Sequence, residues 1–154
     1  MKTLIGVFVN VFFSIIIIIT VTPSYAKTLI VDQHDPSSKY QSIQKAIDES
    51  SAGDIVFVKN GTYKENINLK TGIILQGESP ENTIITNPFE TKENVIIRVE
   101  NLNSVTISDL SIKWEGKSDI NACIYSTNSN IIIENNKIYL SFRKIWHLFC
   151  IRLN

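Results

Sequence analysis

The stretch that decides the fold is residues 105–112, VTISDLSI, because its pattern returns at residues 131–138, IIIENNKI. Asp109 and Asn135 fill the same place in the two segments, between two short apolar runs, where a residue that tolerates left-handed backbone angles is needed. Aligned without a gap, the segments match apolar to apolar at Val105/Ile131, Ile107/Ile133 and Ile112/Ile138. The segment therefore predicts a strand–bend–strand unit that recurs along the chain.

Working outward from this unit, short β-rich triplets fill residues 54–138 in sets of three. The first members start at residues 67, 95 and 123, and the second members start at residues 73, 105 and 131. Three short strands repeating at this length predict one turn of a parallel solenoid, in which each strand pairs with its counterpart about 4.8 Å away. The alternative is an antiparallel β-sandwich, whose strands would be longer and not grouped in threes. The sets are 67–69, 73–75 and 83–85; 95–99, 105–107 and 110–112; and 123–125, 131–133 and 137–138.

Residues 27–53 precede the triplets and predict a strand and one helix. Residues 28–31 read as the strand. The helix is predicted over residues 38–52, because Ser38 and Gln41 have the spacing of a capping box and Gly53 can close the helix in a left-handed conformation. Its apolar residues, Tyr40, Ile43, Ala46 and Ile47, share one face. One apolar stripe on a short helix needs a surface to cover, so we expect a lid over the first turn.

Residues 1–26 have the features of a signal peptide. Lys2 gives a positive start, residues 4–21 are almost wholly apolar, and Ser24 and Ala26 are the small residues that favour cleavage after Ala26. The alternative is an uncleaved anchor, since about 18 apolar residues nearly span a bilayer, and only then would the protein contact a membrane. Either way the rest of the chain is expected to be secreted, periplasmic or on the cell surface.

Composition excludes several classes of protein. The 154 residues carry 15 Lys plus Arg and 15 Asp plus Glu, and this balance argues against a nucleic-acid-binding protein. The length allows one domain. Two cysteines cannot form a disulfide-dense scaffold, although Cys123 and Cys150 are able to pair after export, which their spacing does not decide.

The segment 139–154 departs from the repeat. It has no acidic residue and four aromatic residues. A solenoid needs a cap at its end, so an amphipathic cap helix is one interpretation. A truncated or frame-shifted reading of a longer ancestor is the other, and the one we favour.

Three segments together resemble the opening of pectin-lyase-like proteins, a superfamily of right-handed parallel β-helices that includes pectin methylesterases and many prokaryotic surface and periplasmic proteins. They are YQSIQKAI at residues 40–47, AGDIVFV at 52–58 and NGTYKENI at 60–67, continued by IILQG at 73–77 and NTII at 82–85. The resemblance covers residues 28–138. It implies an all-β fold, a right-handed parallel β-helix of about three turns with an N-terminal capping α-helix, and a polysaccharide as partner.

The resemblance does not bring the catalytic residues of the family with it. Pectin methylesterases use a pair of aspartates, an oxyanion-stabilising glutamine and an arginine on later turns, and no matching segments occur in this chain. Polygalacturonases carry clustered aspartates with a Gly-His-Gly segment, and pectate lyases bind calcium through stacked acidic residues. Asp109 is the acidic residue at a repeated bend, but its counterpart is Asn135, so we interpret it as a turn residue. We predict no catalytic residue, metal or cofactor site.

A few residues remain as weak candidates. Trp114 and Tyr125 are candidate carbohydrate contacts, because a flat apolar ring suits the C–H face of a sugar, or else they are ordinary core or surface aromatic residues. The trio Asp32, His34 and Asp35 is expected to face solvent rather than hold a metal, and His147 lies in the tail without an evident partner. Tyr63 and Glu65 are predicted to pack and cap at the first turn.

Three functions stay open at this point. The first is an exported module that binds polysaccharide, or acts as a surface scaffold, without a complete active site. The second is the N-terminal fragment of a pectinesterase-like or polysaccharide-lyase-like enzyme. The third is a segment of a surface layer or an adhesin. The carbohydrate link rests on fold analogy alone.

Overall fold

The computed structural model describes residues 25–88, 95–115, 122–140 and 151–153. These ranges contain one short helix and thirteen strands. The elements are β1 (Thr28–Val31), α1 (Ile43–Glu49), β2 (Ile55–Val58), β3 (Gly61–Lys64), β4 (Ile67–Asn68), β5 (Ile74–Gly77), β6 (Thr83–Thr86), β7 (Val95–Glu100), β8 (Val105–Ser108), β9 (Ser111–Trp114), β10 (Ala122–Thr127), β11 (Ile131–Glu134), β12 (Lys137–Leu140) and β13 (Ile151–Leu153).

The strands form three parallel sheets that the chain visits in rotation. Sheet A has the order β1-β2-β5-β8-β11, sheet B has β3-β6-β9-β12, and sheet C has β4-β7-β10-β13. Every pairing between these strands is parallel. The chain is therefore a right-handed parallel β-helix, as the sequence predicted, and the antiparallel sandwich is wrong.

The three predicted sets of strands are confirmed and prove to be part of a longer series. They correspond to β4 through β12. Strands β2 and β3 precede them, and β13 follows them by pairing with β10. The described strands β2 to β13 thus make four triads rather than the expected three. In sheet C, Ile97, Ile124 and Ile151 occupy one register position, and they are 27 residues apart at each step.

Some of the sequence predictions concern residues outside the described ranges. The signal peptide falls almost entirely on residues 1–24, and His147 and Cys150 lie within residues 141–150. Of the predicted tail 139–154, Tyr139 and Leu140 complete β12, and residues 151–153 form a strand that pairs with β10 in sheet C, so these described residues are not helical. Within the described ranges, no helix has the length and apolarity to cross a membrane.

The core lies inside the three sheets, where apolar side chains of successive turns stack on one another. In sheet A the stack runs from Val56 through Leu75 to Ile107, all fully buried. Sheets B and C contribute similar stacks, with Ile85 over Ile112 and Ile97 over Ile124. Each such side chain stabilises the fold by about 1.5–3 kcal/mol through burial, so the repeat itself supplies the driving force.

The helix is shorter than predicted. It begins at Ile43, and its N-cap is Ser42, whose Oγ accepts from the backbone N–H of Lys45. The predicted start at Ser38 is wrong, because Tyr40 pairs with Val31 of β1 and this bridge holds the preceding residues away from the helix. Gly53 does adopt a left-handed angle, φ 94°, but in the turn before β2 and not directly after the helix.

Side chains of the first turn hold α1 at both ends. Glu65 accepts from the Ser42 hydroxyl at 2.8 Å and from the backbone N–H groups of Ile43 and Gln44 at 2.9 and 3.0 Å. At the other end the Lys70 ammonium donates to the Ser50 carbonyl at 2.6 Å. The negative group thus sits at the helix N-terminus and the positive group at its C-terminus, as the helix dipole favours. The lid and the capping role of Glu65 are confirmed, and Tyr63 is buried as expected.

Candidate functional site

The outward face of sheet C carries a column of polar and aromatic side chains. Parallel pairing places Asn68 beside Arg98 and Arg98 beside Tyr125, one residue on each successive turn. The inward neighbours Ile67, Ile97 and Ile124 are buried, so by alternation the column faces away from the core. Successive turns hold these groups at the strand spacing of about 4.8 Å.

Arg98 and Tyr125 form the centre of this column. The guanidinium of Arg98 lies over the Tyr125 ring, 5.7 Å from its centroid. One guanidinium nitrogen donates to Glu100 Oε1 at 2.8 Å, and both side chains of this ion pair are about one-third exposed. A cation over a ring face is attracted to the ring, so the Tyr125 ring helps to hold the guanidinium at this surface.

One end of the face is apolar and covered. Ile96 and Cys123 share the outward side with Arg98 and Tyr125, yet both are fully buried. The polar column therefore borders a closed apolar part of the same sheet instead of open solvent on all sides. Pairing of Cys123 with Cys150 involves a residue outside the described ranges and stays a prediction.

These groups have chemistry suited to an acidic sugar. Guanidinium is planar, permanently charged and shaped to hold a carboxylate through two parallel N–H bonds. A tyrosine ring offers an apolar surface to C–H groups and a hydroxyl at its edge. The exposed fraction of the Arg98–Glu100 pair means that a competing carboxylate meets little resistance, since surface ion pairs contribute only about 0–1 kcal/mol.

The structure separates the two aromatic residues that the sequence suggested as sugar contacts. Tyr125 is half-buried on the outward face of sheet C. Trp114 lies at the end of β9 in sheet B, points inward and is only 1% exposed. The expectation that Trp114 presents a ring face to a ligand is therefore not met. Its inward parity, two residues beyond the buried Ile112, is the physical reason.

The repeated bend between sheets A and B is structural. Asp109 and Asn135 have φ angles of 57° and 50°, so both adopt the left-handed conformation that the sequence predicted. Asp109 accepts from the side-chain amides of Asn135 and Gln76, one on each neighbouring turn, and these bonds hold the pKa of its carboxyl below the ordinary value. With both oxygens engaged by amides, Asp109 acts as a turn residue.

The cluster around His34 is also a turn. Asp32 Oδ1 accepts from the backbone N–H of His34 at 2.9 Å and from that of Asp35 at 3.3 Å. Both bonds fix the loop that leaves β1. Across the described ranges, no three His, Cys, Asp or Glu side chains are arranged to hold a metal ion.

Arg98 is a residue of the candidate site that the sequence analysis did not single out. The strand starts at residues 95 and 123 suggest an offset of 28, which aligns Arg98 with Ser126, an inward residue. The true offset between β7 and β10 is 27, and it sets Arg98 beside Tyr125. An error of one residue in this offset places a side chain on the opposite face of the sheet. For this reason the sequence did not indicate that Arg98 and Tyr125 are neighbours.

Comparisons with known proteins show what this chain is similar to. No family model matches the chain. A putative pectinesterase/pectinesterase inhibitor of Arabidopsis thaliana is 44% identical over 59 residues, which cover 34% of this chain and 11% of that protein. The match therefore extends over about a tenth of the relative.

Solved structures are similar over most of the chain. The pectin methylesterase PemA from Erwinia chrysanthemi superposes with a TM-score of 0.54 at 17% identity, covering 77% of this chain and 46% of that one. A pectin methylesterase solved in complex with a hexasaccharide gives 0.50 at 16% identity, with coverage of 76% and 46%. The chain spans less than half the length of these enzymes, and at these identities the likeness shows the fold.

Proposed function

We propose, from the premise that this chain has the right-handed β-helix fold of pectin methylesterases, that it is an exported module that binds acidic polysaccharide on the outward face of sheet C. The observation that carries the proposal is the stacked pair of Arg98 and Tyr125 on adjacent turns. The pectin methylesterase that was solved with a hexasaccharide supports a saccharide as the class of ligand. The binding surface belongs to a scaffold without a complete active site.

The charges on the column favour a uronic acid polymer over a neutral one. Arg98 would release Glu100 and hold a sugar carboxylate, while the free edge of the Tyr125 ring contacts the adjoining pyranose. Among the described residues of this face, the acidic group is Glu100, and it is bound to Arg98. This arrangement supports binding and supplies no acid–base pair for hydrolysis.

The test is binding of the purified chain to polygalacturonate, measured by affinity electrophoresis and by calorimetry at low salt. Arg98→Gln is expected to weaken binding at least tenfold, since it removes a charge-assisted contact of about 1.5–3 kcal/mol. Tyr125→Leu is expected to weaken binding by a smaller factor. Highly methyl-esterified pectin, which lacks free carboxylates, should bind more weakly than polygalacturonate.

The chain offers a matched control in sheet B. Lys113 and Glu115 form an outward ion pair of the same spacing, 2.7 Å long, with similar exposure. Lys113→Gln removes one exposed positive charge, as Arg98→Gln does, but from a different face. Equal loss of binding in both variants would show a general charge effect and would refute a site on sheet C.

The fold of the solved neighbours favours a second candidate, a pectinesterase-like portion of a longer enzyme. Release of methanol from methyl-esterified pectin by the purified chain would support it and would contradict the scaffold proposal. Calcium-dependent cleavage of polygalacturonate would instead support a lyase.

Export is part of the same proposal. The protein is expected in the secreted, periplasmic or cell-surface fraction, with Lys27 as the first residue of the mature chain. N-terminal sequencing of the exported protein tests the cleavage site, and a chain that retains Lys2 would show an anchor instead.

A further inference from the structure

Two of the three sheets begin with an edge strand that a glutamine side chain closes. In sheet C, the Gln44 amide accepts from the backbone N–H of Asn68 at 2.8 Å and donates to its carbonyl at 3.3 Å. In sheet B, the Gln33 amide, oriented to satisfy both partners, accepts from Thr62 N–H at 2.9 Å and donates to its carbonyl at 3.1 Å. Each amide imitates a neighbouring strand and satisfies the free edge.

Sheet A begins with β1, whose outer edge differs from the edges of sheets B and C. The carbonyls of Lys27 and Val31 accept from Ile55 and Lys59, so the odd-numbered residues of β1 bond to β2 and the even-numbered ones point away. At the C-terminal end of this strand, the backbone N–H of Asp32 donates to the Tyr40 carbonyl at 2.9 Å. By this alternation the N–H and C=O of Thr28 and the N–H of Ile30 face away from β2, and among the described residues no turn, loop or cap backbone group bonds to them.

A cleft of about 620 Å³ runs beside this open edge. It is bounded by β1 and by the loop from Asp32 to Tyr40, and three lysines, Lys27, Lys39 and Lys59, line it. Their ammonium groups pair with Asp54, Glu49 and Glu78, which do not line the cleft. The side chains of Lys39 and Lys59 and of their partners Glu49 and Glu78 are 30–70% exposed, so turning these two lysines toward a ligand costs little. Lys27 is 56% exposed but pairs with the Asp54 carboxylate, which is 2% exposed.

The two aspartates of the cleft are already engaged. Asp32 Oδ1 accepts from the N–H groups of the following turn. Asp35 Oδ1 accepts from the backbone and hydroxyl of Ser37 at 2.8 and 2.7 Å. The loop holds one oxygen of each carboxylate, and the lining has three lysines against two aspartates, so a ligand meets a small excess of positive charge beside the backbone of β1.

We propose that this cleft binds a short extended peptide bearing carboxylate side chains, which adds to sheet A as a strand beside β1. The cleft falls within the size range of ligand sites. Strand addition supplies partners for Thr28 and Ile30, and the lysines pair with acidic side chains that flank the added strand. The contrast with sheets B and C, whose edges are closed, is what singles out this edge.

The test uses the purified full chain and an N-acetylated, C-amidated pentapeptide of sequence EVTVE. Amide resonances of Thr28 and Ile30 are expected to shift saturably and to exchange with solvent at least tenfold more slowly in the complex. The uncharged peptide QVTVQ should bind several-fold more weakly at low salt, because it cannot pair with the lysines.

Ile30→Pro removes the outward N–H without removing a bond to β2, since proline is tolerated on an edge strand. It should weaken EVTVE binding at least tenfold, whereas Ile30→Val, which keeps the amide, should bind as wild type. Unchanged spectra for sheets B and C establish that the proline variant is folded.

Three results would overturn the proposal. They are no saturable shift at Thr28 and Ile30 in the wild-type chain, unchanged binding in a folded Ile30→Pro variant, and shifts of the same amides with a galacturonate oligosaccharide but not with EVTVE. The last would make the cleft a saccharide site. None of these measurements reports on the outward face of sheet C. Failure of the peptide proposal therefore leaves the polysaccharide proposal standing, and failure of the polysaccharide proposal leaves the peptide proposal standing.

Discussion

Replacing Glu65 should loosen the lid helix and destabilise the whole fold. The carboxylate accepts three hydrogen bonds, from the hydroxyl of Ser42 and from the backbone of Ile43 and Gln44, at 2.8–3.0 Å. Hydrogen bonds to a charged group contribute about 1.5–3 kcal/mol each, but water can replace part of the loss at a half-exposed helix end. We therefore expect Glu65→Ala to lower the free energy of unfolding by about 2–4 kcal/mol.

Glu65→Gln separates charge from shape. It keeps one acceptor oxygen and the side-chain volume but loses the negative charge at the helix N-terminus, worth about 0.3–1 kcal/mol, so a loss of about 1–2 kcal/mol is expected. Urea denaturation followed by circular dichroism gives these values, and hydrogen exchange of the amides in α1 shows whether the lid opens first. The control is Glu81→Ala, whose carboxylate pairs with Lys137 on the surface and should cost under about 1 kcal/mol.

The reasoning would be refuted if Glu65→Ala unfolded at the same urea concentration as Glu81→Ala while its helix amides stayed as protected as in the wild type. In that case the hydrogen bonds of Glu65 would be exchanged for water without loss, and the lid would be held by its apolar face alone. A large loss of stability together with rapid exchange throughout α1 would identify Glu65 as the main attachment of the lid.

Three further predictions concern the body of the solenoid. Gly77→Ala should cost about 1–3 kcal/mol in urea denaturation, because its new Cβ would lie 2.2 Å from the Asp109 carbonyl oxygen; an unchanged midpoint would contradict this close approach. Burial raises the pKa of Asp54, but hydrogen bonds from the backbone of Lys27 and Ser51 and the charge of Lys27 outweigh it and leave the pKa below its ordinary value. Its contribution to stability is thus complete above about pH 5 and is lost as pH falls through the folded pKa, so Asp54→Asn should reduce the loss of stability between about pH 5 and pH 2. Trp114→Phe should change the free energy of unfolding by less than about 1 kcal/mol, since it gives up ring contacts but removes a buried N–H that has no acceptor among the described residues; a loss of about 3 kcal/mol would mean that packing dominates.

The repeat made most of the fold predictable. Isoleucine, valine and leucine at alternate positions fix which residues face inward, and Asp109 and Asn135 mark equivalent bends, so the pairing of β8 with β11 follows from the sequence. The strands β2 and β3 were harder to see as a turn of their own, because the first grouping began at residue 67. The helix start was misread because Tyr40 gives its backbone to β1, a long-range contact that overrides local capping preference.

The candidate site depended on quantities that local patterns do not fix. Whether Arg98 meets Tyr125 or Ser126 is decided by one residue of register, which is set by the length of the connection between β7 and β10. Trp114 could be core or surface until its parity relative to Ile112 was fixed by pairing with sheet B neighbours. The glutamines that close sheets B and C carry no periodic signal, because each acts from outside the repeat.

The two equal steps of 27 residues in sheet C, from Ile97 to Ile124 and from Ile124 to Ile151, have an evolutionary consequence. A tandem duplication of one such 27-residue block would insert a complete turn of the solenoid, whose bends and contact surfaces match those of the turns above and below it. The solenoid would lengthen by a single strand spacing, and the N-terminal lid helix α1 would keep its contacts. A gene that encodes such a repeat can therefore gain or lose whole turns, and with them part of the surface that binds a ligand. The strands of the remaining turns keep their pairing partners.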